Sequence, residues 1–203
     1  TVGGDPNPLY RGFSCRPPQA EERPPKPRPP RARLALRGHA KEDGGPVRLP
    51  PPPWIAAHRG ALPLLENTLP ALALAVAEGA DLLEFDVQAT ADGVLVLFHD
   101  ADLGRLGGRP ELVVEREPAS ALLERELSDP ASRERTGRIP TLGALLAALP
   151  DGFPVNIELK RRRCDRERLA GLALAATAGR ENVLFSSFDL SLLRELRRQA
   201  PAA

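Results

Sequence analysis

The chain has 203 residues, enough for one good-sized domain with a substantial core. With 28 Lys and Arg against 27 Asp and Glu, its net charge of +1 gives no electrostatic case for nucleic acid or an anionic membrane surface as a partner. Cys15 and Cys164 form neither a disulfide framework nor a CxxC metal site, which favours a reducing compartment. No apolar run approaches the roughly 20 residues of a membrane span, and no secretory leader pattern opens the chain. The expectation is a cytoplasmic protein with no integral membrane segment.

Residues 1–53 are rich in Pro, Arg and Gly, with PPKPRPP at 24–30 and four consecutive prolines, Pro50 to Pro53. Apart from Leu34-Ala35-Leu36 there is no apolar periodicity, so too little surface can be buried to offset the entropy of ordering. The composition predicts a disordered, partly polyproline-II tail. Its Arg-flanked prolines would suit a proline-recognition partner, and the plainer reading is a solvated tail. His39 lies in this tail and is given no role.

From Trp54 onward strand and helix signals alternate. WIAAH (54–58) reads as a strand, and Thr68 with Pro70 opens a helix that Gly79 closes. LLEFDVQ (82–88) and VLVLFH (94–99) read as strands. TLGALLAAL (141–149) reads as a helix capped by Thr141 and stopped by Pro150 and Gly152. PVNIELK (154–160) is a strand, Asp165 to Ala178 a helix, VLFSSF (183–188) a strand, and Leu190 to Gln199 an amphipathic helix. Strands separated by helices of this length indicate βαβ units and a parallel sheet, an α/β fold. Residues 100–138 are charged and poorly patterned.

One connection departs from the alternation. Only Ala89 to Gly93 join LLEFDVQ to VLVLFH, whereas a parallel crossover needs about a dozen residues or more. The pair is therefore expected to be an antiparallel hairpin turning at Ala91-Asp92-Gly93. A turn centred near Asp92 would return His99 to the level of Glu84.

Chemistry gathers at the strand ends. Glu84 and Asp86 are two apart on a strand and share a face, as do Glu158 and Lys160 on a later one. Three converging carboxylates repel one another unless a cation sits among them, and oxygen-only ligands suit Mg2+ or Ca2+ better than Zn2+. The alternative is that Glu84 and Asp86 pair with Arg59, Lys160 or other basic residues. His58 ends the first strand and His99 the hairpin. Two imidazoles flanking a cation suit general acid and base work on a phosphate ester. Arg59 offers a fork for phosphate oxygens, Lys160 a second positive charge, and Gly60 a close passage for the backbone.

Taken in order, these residues resemble the glycerophosphodiester phosphodiesterase family over about residues 54–201. The motifs are AHRG, ENTLPA, GADLLEFDV, TADGVLVLFHD, IPTL (139–142), VNIELK (155–160) and VLFSSFD (183–189). The resemblance implies a (β/α)8 TIM barrel with a metal at its C-terminal mouth, and a domain beginning at residue 54. It implies His58 and His99 as the catalytic pair, and Glu84, Asp86 and Glu158 on a divalent cation. It also implies Arg59 and Lys160 at the substrate phosphate, with Glu66 of the ENT motif nearby. Asn67 and Thr68 are expected to cap the following helix.

The implied reaction is hydrolysis of a glycerophosphodiester to sn-glycerol 3-phosphate and an alcohol, the substrate's own glycerol hydroxyl attacking phosphorus. Lysophospholipids are alternative substrates, and a sphingomyelinase D-like activity a neighbouring chemistry. Leu65 stands where many members have Pro, and Leu106-Gly107-Gly108 replaces the usual threonine-rich segment. Four parallel strands make only the first half of such a barrel, so a fragment of a longer protein is expected. A truncated, inactive product with a proline-rich binding tail is the remaining reading.

Overall fold

The computed structural model describes residues 51–201; the expected tail therefore lies outside the described residues except for Pro51 to Pro53. In chain order the elements are β1 (Ala56–His58), α1 (Leu69–Ala77), β2 (Leu82–Ala89), β3 (Leu95–Leu97), β4 (Asp102–Leu103), α2 (Gly104–Gly107) and β5 (Arg109–Val113). A 3-10 turn (Val114–Arg116), α3 (Ala119–Leu123), β6 (Glu126–Asp129) and β7 (Ser132–Arg138) follow. The chain then runs through α4 (Leu142–Ala148), β8 (Val155–Leu159), α5 (Arg166–Ala176), β9 (Val183–Ser186) and α6 (Leu190–Gln199).

The main sheet has the parallel order β1-β2-β8-β9, with β3 added antiparallel to β2. Each parallel crossover passes through helix, as the alternation predicts. Thr68, Thr141, Asp165 and Asp189 cap α1, α4, α5 and α6 by accepting from backbone N–H groups in the first turn. This is the α/β architecture expected of the first part of a TIM barrel.

Register separates the two faces of the sheet. His58 pairs with Glu84, Asp86 with Glu158, Glu84 with Asn156, and Glu158 with Ser186. One face is thus polar along its length. The alternate residues Leu83, Phe85, Val87, Val155, Ile157 and Leu159 point the other way and pack under the helices, where all six are buried. Each such side chain contributes ~1.5–3 kcal/mol by leaving water.

Residues 101–138 hold two small antiparallel pairs, β4 with β5 and β6 with β7, around a second apolar cluster that includes Leu103, Leu106, Val114, Leu122 and Leu127. That cluster is rooted on Leu65, Val96 and Phe98 from the main sheet and the loop after β1. The charged, poorly patterned stretch is therefore ordered structure.

β1 and β3 share one edge of β2. Leu83 pairs with Ala57 on one side and Val155 on the other, and Val87 pairs with Leu97 and Leu159 in the same way. β1 thus covers the start of that edge and β3 its end, and the two chains run toward each other. The hairpin returns one residue later than the turn predicts: Val87 faces Leu97 and Ala89 faces Leu95. Continued, this register brings His99 level with Phe85 and not with Glu84.

Candidate active site

β1 ends because the backbone turns sharply after His58. Arg59 sits at φ 60 and Gly60 at φ 106. A left-handed Arg costs on the order of 1 kcal/mol, and the turn is held by two hydrogen bonds. Arg59 N–H donates to the Glu84 carbonyl (2.8 Å), and Asn67 N–H donates to the Arg59 carbonyl (2.9 Å). A Cβ on Gly60 would lie 2.7 Å from the Ala71 backbone carbon, so only glycine lets the chain pass α1 here.

Asp86 is the buried centre of the site. Asn67 Nδ2 donates to its Oδ2 (2.9 Å), and its own N–H donates back to Asn67 Oδ1 (3.3 Å). Arg59 Nε lies 2.9 Å from Oδ2 and Lys160 Nζ 3.1 Å from Oδ1, both poorly aligned for hydrogen bonding. Lys160 also donates to Glu158 Oε1 at 2.5 Å. Asn67 was expected to help cap α1. Thr68 alone does so, and Asn67 at φ 55 turns its amide onto Asp86 instead.

Asp86 thus takes the expected ion pairs with Arg59 and Lys160 while it shares a carboxylate cluster. Glu84, Asp86 and Glu158 offer oxygens that all lie within 4.8 Å of one another. Burial pushes the Glu84 carboxyl up first, and the charges of Asp86 and Glu158 add to it. Arg59 and Lys160 pull the other way, and the result is about 7. Among the described residues, Glu84 Oε2 and Asp86 Oδ1 are buried and accept no hydrogen bond. Orphaned oxygens in an oxygen-only donor set, with one proton held abnormally tightly, fit a hard divalent cation.

His58 reaches this cluster directly, and His99 follows Phe98, whose N–H donates to the Asp86 carbonyl (3.1 Å). His58 Nε2 lies 3.6 Å from Glu84 Oε2, and its ring is largely open to solvent. His99 Nδ1 lies 2.7 Å from Asp100 Oδ1. A carboxylate there favours the tautomer with the proton on Nδ1, which leaves Nε2 free to accept one. Burial works to raise Asp100, but hydrogen bonds from His99 and Arg105 outweigh it and hold the carboxyl below its ordinary value.

Four positioning residues escaped the sequence reading. Asn67 holds Asp86. Buried Gln88 donates to the carbonyls of Phe98 and Asp100, each at 2.7 Å, and so fixes the backbone on either side of His99. Asp100 orients the His99 ring. Arg105 joins Asp100 Oδ2 (2.6 Å, from Nε) to Glu66 Oε1 (2.6 Å, from Nη2), and Glu66 in turn lies 3.4 Å from Arg59 Nη1. Glu66 is thus turned toward two guanidiniums at the rim. A signal existed for Gln88, which continues the two-residue spacing of Glu84 and Asp86.

Comparison with known proteins bears on the family and the fold. A profile described as the Glycerophosphoryl diester phosphodiesterase family matches residues 57–203. The chain is 33% identical over 154 residues to a glycerophosphodiester phosphodiesterase of Caldanaerobacter subterraneus, covering 72% of this chain and 63% of that protein. It is 52% identical over 64 residues to lysophospholipase D GDPD3 of Mus musculus, which is 31% of this chain and 18% of that protein. Among solved structures it resembles an Oleispira antarctica phosphodiesterase in complex with the product sn-glycerol-3-phosphate. That likeness has a TM-score of 0.61 and 28% identity, and covers 73% of this chain and 63% of that one. The chain therefore spans less than two thirds of the length of these relatives.

Proposed function

Because the chain belongs to the Glycerophosphoryl diester phosphodiesterase family, we propose that its site hydrolyses glycerophosphodiesters to sn-glycerol 3-phosphate and an alcohol. The observation that carries this reading is the meeting of three carboxylates, two cations and the His58 imidazole along β2, with His99 one residue beyond the Phe98 N–H bond to the Asp86 carbonyl. Glu84, Asp86 and Glu158 would hold Mg2+ or Ca2+, which when bound would neutralise the carboxylates and polarise a phosphoryl oxygen.

The chain's own groups supply the rest. Arg59 and Lys160 bind the remaining phosphoryl oxygens and offset the charge that builds as phosphorus becomes five-coordinate. One imidazole takes the proton of the glycerol hydroxyl as that oxygen bonds to phosphorus. The other gives a proton to the departing alkoxide as the old P–O bond breaks. Water then opens the cyclic phosphate by the reverse proton traffic, so the overall change is addition of one water. His99, with its ring fixed by Asp100 and its backbone by Gln88, is built for repeated transfer in one geometry.

The test is release of sn-glycerol 3-phosphate from glycerophosphocholine in Mg2+ or Ca2+, comparing wild type with His58→Ala and His99→Ala. Each variant should lose about 10²–10⁴-fold in kcat. No release from any glycerophosphodiester with either ion would end the reading.

Lysophospholipids form a second substrate reading, favoured by Leu62 and Leu64, apolar side chains exposed in the loop that follows β1. Choline release from lysophosphatidylcholine in the same assay reports on it.

A further inference from the structure

A concavity of about 320 Å³ with no role in the chemistry above is lined by Ala101, Glu115, Arg116 and the loop from Arg162 to Cys164. Its walls come from two loops that leave the active site. One passes through Ala101, two residues beyond His99, and the other through Arg162, two residues beyond Lys160. Two extended residues span at most roughly 7 Å, so both walls begin within that reach of His99 and Lys160. Arg116 from the 3-10 turn completes a set of three arginines with Arg162 and Arg163, all exposed, over an apolar floor at Val113 and Ala101.

The charges here are unbalanced. Glu115 is the acidic residue in the wall, and its carboxylate is turned onto the backbone. It accepts from the N–H groups of Arg162 (2.8 Å), Arg163 (2.6 Å) and Cys164 (2.9 Å). Neighbouring Arg161 is engaged with Asp189 at 2.6 Å. Among the described residues, the guanidiniums of Arg116, Arg162 and Arg163 take part in no ion pair or side-chain hydrogen bond. Glu115 therefore fixes the loop that carries two of them while leaving all three forks available, an arrangement suited to phosphate or carboxylate.

We propose that this cavity is the subsite for the departing alcohol, and that the alcohol it takes is anionic. It receives a head group bearing a phosphate monoester or carboxylate, and it disfavours choline and ethanolamine, whose cations would meet three like charges. This assignment rests on the proposed hydrolysis for its setting, but its binding step can be measured without turnover.

The experiment uses the 1–203 chain in EDTA, so that the carboxylate cluster holds no cation, and titrates it calorimetrically with myo-inositol 4-phosphate and with myo-inositol. The phosphate should bind and the neutral polyol should not. The triple variant R116Q/R162Q/R163Q should weaken phosphate binding at least about tenfold. R194Q, which removes a charge from exposed Arg194 on α6, should leave it unchanged. R163E alone serves if the triple variant does not fold. Equal affinity in wild type and these variants, or an equal loss in R194Q, overturns the subsite.

With Mg2+ or Ca2+ present, glycerophosphoinositol 4-phosphate should have a higher kcat/KM than glycerophosphocholine, and the triple variant should reverse that order. Hydrolysis that ignores the arginines sinks the subsite and leaves the proposed reaction standing. Arginine-dependent binding with no hydrolysis of either diester does the opposite.

Discussion

The main sheet and the 101–138 insert differ in how they are built, yet both are needed to aim the same histidine. In the sheet, long apolar alternation buries one whole face under helices, and the polar face that remains carries the carboxylates. In the insert the strands are largely exposed, and order comes from a few scattered leucines seated on Val96 and Phe98. Asp100 and Arg105, at the entrance to that insert, orient His99 and reach across to Glu66. Carboxylate placement is thus a property of strand register, and the orientation of the His99 ring draws on contacts at the border of a peripheral structure with a thin core.

The widest expected separation between the two regions is in stability. Phe85→Ala removes a fully buried ring under the sheet and should cost about 3–5 kcal/mol, unfolding the whole unit in a denaturant titration. Leu122→Ala should cost about 2–3 kcal/mol but act locally. Native-state hydrogen exchange should then accelerate across 101–138 while amides of β2 and β8 stay protected. Loss of protection in both regions together would mean that they fold as one unit.

A smaller effect should appear in catalysis alone. Arg105 is partly exposed, so Arg105→Gln should change stability by less than about 1 kcal/mol. It frees Asp100 and Glu66 together, and kcat should fall roughly 10–100-fold with little change in KM. Unchanged kcat would show that Asp100 and Gln88 aim His99 without help from the insert.

The pH dependence comes from the sheet. Glu84 is raised to about 7 in the folded chain from 4.5. Between those values the folded state holds the extra proton, so without metal, stability declines as pH rises through this window. A cation must displace that proton, and its affinity should therefore increase roughly tenfold between pH 6 and pH 8, with a proton released on binding. Calorimetry in buffers of different ionisation enthalpy measures both. Glu84→Gln should abolish the dependence.

The smallest effect belongs to the insert's surface. The Arg138–Glu124 pair is exposed on both sides, and Glu124→Ala should shift stability by no more than about 0.5 kcal/mol. A larger loss in thermal melting would give the insert's charges a structural weight that its exposure argues against.

The same contrast explains what the amino-acid sequence revealed. Two-residue alternation placed Glu84 with Asp86 and Glu158 with Lys160, turn residues 91–93 identified the hairpin, and Thr68 and Thr141 marked helix starts. Each of those signals is local. The insert lacked one, because its exposed strands need not alternate and its core residues are spaced irregularly. The positioning contacts were equally hidden, since Asn67 meets Asp86 across 19 residues and Arg105 meets Glu66 across 39. Chain separation of that size leaves no pattern within a short window. The single-residue difference in hairpin return has the same origin, because a turn sequence specifies the reversal more tightly than the pairing that follows it.

The end-to-end approach of β1 and β3 along one border of β2 has a mechanical corollary. Arg59 N–H is tied to the Glu84 carbonyl and Phe98 N–H to the Asp86 carbonyl, two stations of a single extended segment about 7 Å apart. Both proton carriers are therefore mounted on one rigid ruler. Bending or swelling elsewhere in the molecule would carry the pair along together, leaving the gap that a phosphate must bridge nearly constant.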